Sequence, residues 1–121
     1  MFRVDVERTS DLAARLVLEG DLDVRTSPEL RERLEWMIQD GVRQVTVDLN
    51  HVEYLDSTGL GALVRGLQQT RRVDGDLKIV CDSIRVRRIF QIAGLSRVLE
   101  ILPSSADDST KNAADRSDSA G

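Results

Sequence analysis

Apolar residues recur along this chain with two distinct periods. Phe2, Val4 and Val6 alternate with polar neighbours, Thr9, Ser10 and Asp11 turn the chain, and Ala14, Leu16 and Leu18 alternate again. Two runs of period two joined by turn formers predict an antiparallel hairpin. Val45, Val47 and Leu49 repeat that period around Thr46 and Asp48 and predict a third strand. From Leu60 the spacing changes: Leu60, Leu63, Val64 and Leu67 fall at i, i+3, i+4 and i+7, one apolar helical face. This helix continues to about Arg72, where Asp74, Gly75 and Asp76 break it. An earlier helix carries Leu30, Leu34, Met37 and Ile38 on its apolar stripe. Thr26 or Ser27 can cap it, Pro28 and Glu29 suit its first turn, and Gly41 suits its end. Leu77 to Cys81 is a short apolar strand suited to the interior of a sheet. Ser83 can cap a third helix with Val86, Ile89, Phe90 and Ala93 on one face and Gly94 closing it, and Val98 to Leu102 reads as a last strand.

The order strand, strand, helix, strand, helix, strand, helix, strand predicts an α/β domain. Its sheet is mixed and mainly parallel, of about five strands, with right-handed crossovers joining the later ones and the first hairpin at an edge. The alternation in the first two strands leaves one sheet face wet, so the helices are expected on the other. At 121 residues the chain can bury one core. That core is expected within 1–103. Beyond Pro103 alanine is the only apolar side chain, and 104–121 reads as a disordered polar tail.

Composition removes several function classes. A formal net charge of −4 argues against a generic nucleic-acid binder. No apolar run approaches a membrane span and no signal-like N-terminus is visible, which points to the cytoplasm and away from membrane partners. Cys81 is the only cysteine and His51, expected in a loop, the only histidine. Neither a catalytic triad nor a zinc pattern can be assembled from them, so no catalytic residue, metal or cofactor is expected. A surface position for His51 and a core thiol for Cys81 are the simpler readings.

The informative stretch is the junction between the third strand and the second helix, Leu55-Asp56-Ser57-Thr58-Gly59-Leu60-Gly61. Asp56 or Ser57 can act as the N-cap, which places a serine hydroxyl at the positive end of a helix, where a phosphate would be stabilised. Gly59, Gly61 and Gly66 each cost about 1 kcal/mol against alanine in a helix interior. Close packing is one reason for them; a bare surface around Ser57, open to an approaching active site, is the other for Gly59 and Gly61. A second junction, Gly20 to Arg25, reads as a loop with two carboxylates, Asp21 and Asp23. Arg65, Arg71, Arg72, Arg85, Arg87, Arg88 and Arg97 fit solvated helix faces. The pattern does not place Trp36 in core or at a surface.

Three blocks in order resemble bacterial STAS-domain anti-sigma-factor antagonists over roughly residues 3 to 102: Gly20-Asp21-Leu22-Asp23 with Thr26 beyond it, Leu55 to Gly61 after a Val-Asp-Leu strand, and Ile89-Phe90 with Ala93-Gly94-Leu95. The resemblance implies a single STAS-like domain that binds an anti-sigma factor, itself a serine kinase, and so releases a sigma factor. It implies phosphorylation of the serine after the aspartate, here Ser57, with Thr58 the competing hydroxyl, and a serine phosphatase that resets the switch. It implies a partner-binding surface comprising Asp21, Asp23, Thr26, Asp56, Ser57, Thr58, Gly59 and Gly61, with Asp23 favoured over Asp21. The free protein is expected to be a monomer and not an enzyme. The alternative within this resemblance is an accessory subunit docking on a membrane transport complex; the intact Asp56-Ser57 pair favours the signalling reading. Many relatives continue into a further amphipathic helix at the C-terminal end, for which this chain lacks the leucines.

Overall fold

A computed structural model describes residues 1–105. The elements run β1 (Phe2–Arg8), β2 (Ala13–Leu22), α1 (Ser27–Gln39), β3 (Gln44–Leu55), α2 (Ser57–Arg72), β4 (Asp76–Val80), α3 (Ile84–Ile92) and β5 (Glu100–Leu102). The strands form one sheet in the order β1-β2-β3-β4-β5. Only β1 and β2 pair antiparallel; β2, β3, β4 and β5 are parallel neighbours. The mainly parallel five-stranded sheet and the edge hairpin are therefore as expected. Because each crossover steps in the same direction along the sheet, right-handed connections place all three helices on one face.

That face is the core. Leu16 and Leu18 of β2, Val47 and Leu49 of β3 and Ile79 of β4 meet Leu30 and Leu34 of α1, Leu63 of α2 and Phe90 of α3, all fully buried. The helices approach closely where glycine allows it: a Cβ on Gly66 would stand 2.7 Å from Leu34 Cδ1. The opposite face is polar. Arg15 donates to Asp48 at 2.7 Å across it, and Asp48 also accepts from the Asn50 amide at 2.8 Å.

Both long strands extend beyond the sequence reading. Gly20, Asp21 and Leu22 belong to β2, and Asn50 to Leu55, including His51, belong to β3. The pairing of β2 with β3 shifts register between Val17 and Glu19 and again between Gly20 and Asp21. At each shift β3 carries an extra residue. These bulges stretch the apolar spacing of β3 from two (Val45, Val47, Leu49) to three (Val52, Leu55), so the strand loses its period without ending. Asp21 and His51 are thus strand residues, not loop residues. β5 is shorter than expected and begins at Glu100, and Ala93 lies exposed at the C-cap of α3 instead of on its buried face.

The far end of the domain closes on polar bonds. Asn50 accepts from the Asp82 amide at 2.7 Å and donates to Ser104 Oγ at 2.8 Å, while the Ser104 amide donates to Asp82 at 2.9 Å. Ser104, placed in the tail by its composition, is thus bonded to Asn50 within β3 and to Asp82 just after β4; 106–121 of that tail lie outside the described residues.

Candidate functional site

The site is assembled where two parallel strands end side by side. Leu22 of β2 pairs with Leu55 of β3, and the Asp56 amide donates to the Leu22 carbonyl at 3.3 Å. The segment leaving β2 and the start of α2 are therefore neighbours, although more than thirty residues of chain separate them.

The first of these segments is a closed polar knot. Asp23 Oδ1 accepts from the amides of Arg25 at 2.9 Å and Thr26 at 3.2 Å. Thr26 Oγ1 donates to the Asp21 carbonyl at 2.7 Å and accepts from the Asp23 amide at 2.9 Å. Partial desolvation pushes the Asp23 carboxyl up, but the bonds from Arg25 and Thr26 outweigh it and hold its pKa below the ordinary aspartate value. Thr26 occupies the N-cap position of α1, yet its hydroxyl makes no cap bond, being committed to this knot. Asp21 enters through its main chain: it pairs with Tyr54 in the sheet and supplies the carbonyl that Thr26 bonds.

The second segment is built the opposite way. Asp56, in extended conformation, caps α2, its Oδ1 accepting from the amides of Thr58 and Gly59 at 3.0 Å each. Of the two candidate caps, the aspartate does the work. Ser57 is left as the first helical residue, exposed, with its hydroxyl in no hydrogen bond among the described residues. Thr58, also exposed, follows it. The two glycines have separate tasks. A Cβ on Gly59 would lie 2.6 Å from the Leu22 carbonyl oxygen, so Gly59 lets α2 sit against β2 and is buried. Gly61 is exposed and a Cβ there would meet nothing within 4 Å. Close packing thus accounts for Gly59 and not for Gly61, which leaves the surface beside Ser57 bare.

Beside Ser57 runs a groove of about 390 Å³ whose lining includes Leu60, Val64, Ala93 and Leu95. Leu60 and Val64 follow Ser57 at i+3 and i+7 on one side of α2, but sequence reasoning had no means to bring Ala93 and Leu95, at and after the end of α3, beside them. The exposed Val24 and Tyr54, on the segment leaving β2 and near the end of β3, were also missed; a lone apolar residue near a strand end carries no signal of its own. Trp36 is 69% exposed on α1. Cys81 is fully buried, and burial pushes its thiol pKa up, which keeps it protonated and inert. Among the described residues no three His, Cys, Asp or Glu side chains cluster as a metal site would require, and no helix is long and apolar enough to cross a membrane.

This arrangement, an exposed serine opening a capped helix beside a strand-end loop, occurs in a chain whose residues 3–108 match the STAS domain family. The chain belongs to the STAS family. An anti-sigma-B factor antagonist of Staphylococcus aureus is 42% identical over 93 residues, covering 77% of this chain and 86% of that protein. In three dimensions the fold is similar to an anti-sigma factor antagonist from Mycobacterium paratuberculosis, with TM-score 0.79 at 23% identity over 92% of this chain and 93% of that one. It is also similar to the Bacillus cell fate determinant SpoIIAA in its phosphorylated form, with TM-score 0.70 at 20% identity, covering 88% and 97% of the two chains. At these identities the structural likenesses establish that the STAS fold is shared.

Proposed function

We propose that this STAS protein is an anti-sigma-factor antagonist whose partner binding is switched off by phosphorylation of Ser57. The observation that carries the site assignment is the division of labour at the start of α2: Asp56 supplies the cap, and the exposed Ser57 hydroxyl is in no hydrogen bond among the described residues. The likeness to the Staphylococcus aureus antagonist supports the class of partner.

In the unmodified state the surface formed by Asp23, Thr26, Ser57, Thr58 and Gly61 docks on an anti-sigma factor and competes with the sigma factor for it. The anti-sigma factor is a serine kinase carrying ATP. Ser57 Oγ attacks the γ-phosphorus; an O–P bond forms, the bond to the β-phosphate oxygen breaks, ADP leaves, and a base of the kinase takes the hydroxyl proton. Gly61, one turn on, leaves the approach clear. The product carries about −1.5 to −2 charges where a neutral hydroxyl had fitted, so the complex is lost by repulsion and desolvation. The α2 N-terminus tolerates the anion, and the fold is retained. A serine phosphatase hydrolyses the ester and restores the binding form. In this scheme the protein acts in the cytoplasm as a substrate and ligand and not as an enzyme.

The test is incubation of the full chain with its cognate anti-sigma kinase and ATP, followed by peptide mass spectrometry. One phosphoryl group on Ser57, with loss of the complex on phosphorylation, is the expected result. Modification confined to another residue, or a phosphorylated form that binds as tightly as the unmodified one, defeats the proposal.

A further inference from the structure

The facing halves of α1 and α2 enclose a second groove, which borders the proposed docking surface at Thr58 and Gly61 but draws its charge from residues outside it. It is a groove of about 250 Å³ lined by Ser27 and Arg31 of α1 and by Thr58, Gly61, Ala62 and Arg65 of α2. The spacing is i, i+4 on one helix and i, i+3, i+4, i+7 on the other, so each set forms a stripe along its helix. Gly61 and Ala62 keep the middle of the groove clear. Ser27 is only 1% exposed, and its Oγ is the one buried side-chain polar atom without a hydrogen-bond partner among the described residues. A buried hydroxyl is ordinarily satisfied, so an orphan facing a cavity marks a missing acceptor or donor. Arg31 and Arg65 are exposed and, among the described residues, neither is in an ion pair or a hydrogen bond. None of the six lining residues is acidic, in a chain whose formal net charge is −4.

We propose that this groove binds a phosphate or phosphate-ester dianion, with Arg31 and Arg65 supplying the charge and the Ser27 and Thr58 hydroxyls donating hydrogen bonds. Two guanidinium groups without a carboxylate partner call for an anion, and their planar donor forks suit the oxygens of a tetrahedral oxyanion. The volume admits an inorganic phosphate or a small phosphate ester. Because Asp56 already takes the amides of Thr58 and Gly59, these side chains and not the helix terminus must provide the recognition. The phosphoryl group has two possible sources: free phosphate from solution, or the ester on the neighbouring Ser57. Only the second depends on the function proposed above.

The test is an amide-resolved NMR titration of the full unphosphorylated chain with inorganic phosphate at constant ionic strength, with chloride as the control. Saturable shifts at Ser27, Thr58, Gly61 and Ala62 are expected, absent in chloride. Arg31→Gln and Arg65→Gln should each weaken the apparent affinity about tenfold or more. Ser27→Ala gives a second readout: its thermal midpoint in chloride should be no lower than that of the parent, and its gain in phosphate smaller. Shifts that never saturate, or an affinity indifferent to both arginine substitutions, would mean an adventitious ion only and overturn the proposal. Repeating the titration on the Ser57-phosphorylated chain separates the sources. Loss of the phosphate response, restored by dephosphorylation, identifies the ester as the occupant; an unchanged response identifies free phosphate. If Ser57 cannot be phosphorylated at all, the switch fails while the first titration still decides the groove.

Discussion

α1 and α2 both begin on a pair of hydroxyl residues, Thr26-Ser27 and Ser57-Thr58, each preceded by a nearby aspartate. The structure puts them to opposite uses. At α1 the hydroxyls turn inward: Thr26 ties the Asp21 carbonyl to the Asp23 amide, and Ser27 is buried beneath the helix pair. At α2 the aspartate takes the whole capping task through one carboxylate oxygen, and both hydroxyls are left exposed. The difference lies in where the aspartate stands. Asp56 immediately precedes its helix and reaches the second and third amides directly. Asp23 stands three residues before Thr26 and closes a turn, so the threonine is drawn into the turn as well. At α2 the serine hydroxyl is free of capping because the aspartate has already satisfied the amides of Thr58 and Gly59.

The largest effect should come from Ser57. Ser57→Ala should abolish phosphoryl transfer to this chain while preserving kinase binding, with the thermal midpoint little changed because the hydroxyl makes no hydrogen bond among the described residues. Ser57→Asp should keep the fold and lower affinity for the anti-sigma factor at least tenfold, about 1.4 kcal/mol or more. Calorimetric titration of both variants decides; equal affinities would reduce Ser57 to an ordinary surface serine.

Next come the two glycines behind this helix start. Gly59→Ala must displace either the Leu22 carbonyl or α2, since the new methyl would sit 2.6 Å from that oxygen, and a loss of about 1–3 kcal/mol is expected. Gly61→Ala meets no neighbour and should instead gain about 0.5–1 kcal/mol from reduced chain entropy. Urea unfolding should therefore give opposite signs, and phosphorylation of the Gly61 variant should slow if bareness matters to the kinase.

At α1 the corresponding probe is Thr26→Val, which deletes a hydroxyl that both donates and accepts. A cost of about 1–3 kcal/mol is expected in urea unfolding. A variant as stable as the parent would mean that water replaces the hydroxyl at no cost and that the α1 start is no more built than the α2 start.

The smallest effect is that of acid on Asp23. Its pKa is lowered in the folded state, so its contribution to stability is fully present above the ordinary value of 3.8 and is lost as pH falls through the lower, folded value. Carboxyl-detected NMR should place the Asp23 midpoint below 3.8. A midpoint at or above it would show that the knot does not hold in solution. Asp23→Asn keeps an acceptor oxygen for the Arg25 and Thr26 amides and should remain folded, while weakening partner binding by loss of charge.

Sequence by itself determined the order and type of the elements, the apolar faces and the segment holding Ser57. These depend on periodicity and on local chemistry, which a chain carries within a few residues. It misjudged the length of β3, because a bulge is a property of two paired strands: Val52 and Leu55 look aperiodic until the register shifts against Glu19 and Asp21 are known. It ended β2 early because Gly20, Asp21 and Asp23 are turn formers, although the strand's period of two runs on to Leu22. It could offer Asp56 and Ser57 as rival caps of α2 but could not choose, since a cap is fixed by backbone dihedrals and a bond distance. Tertiary structure alone separated Gly59 from Gly61, because one faces Leu22, 37 positions back in the chain, and the other faces solvent. Only tertiary structure set Ser27 and Arg31 opposite Arg65, since two helices distant in sequence share a groove only after the sheet has positioned both.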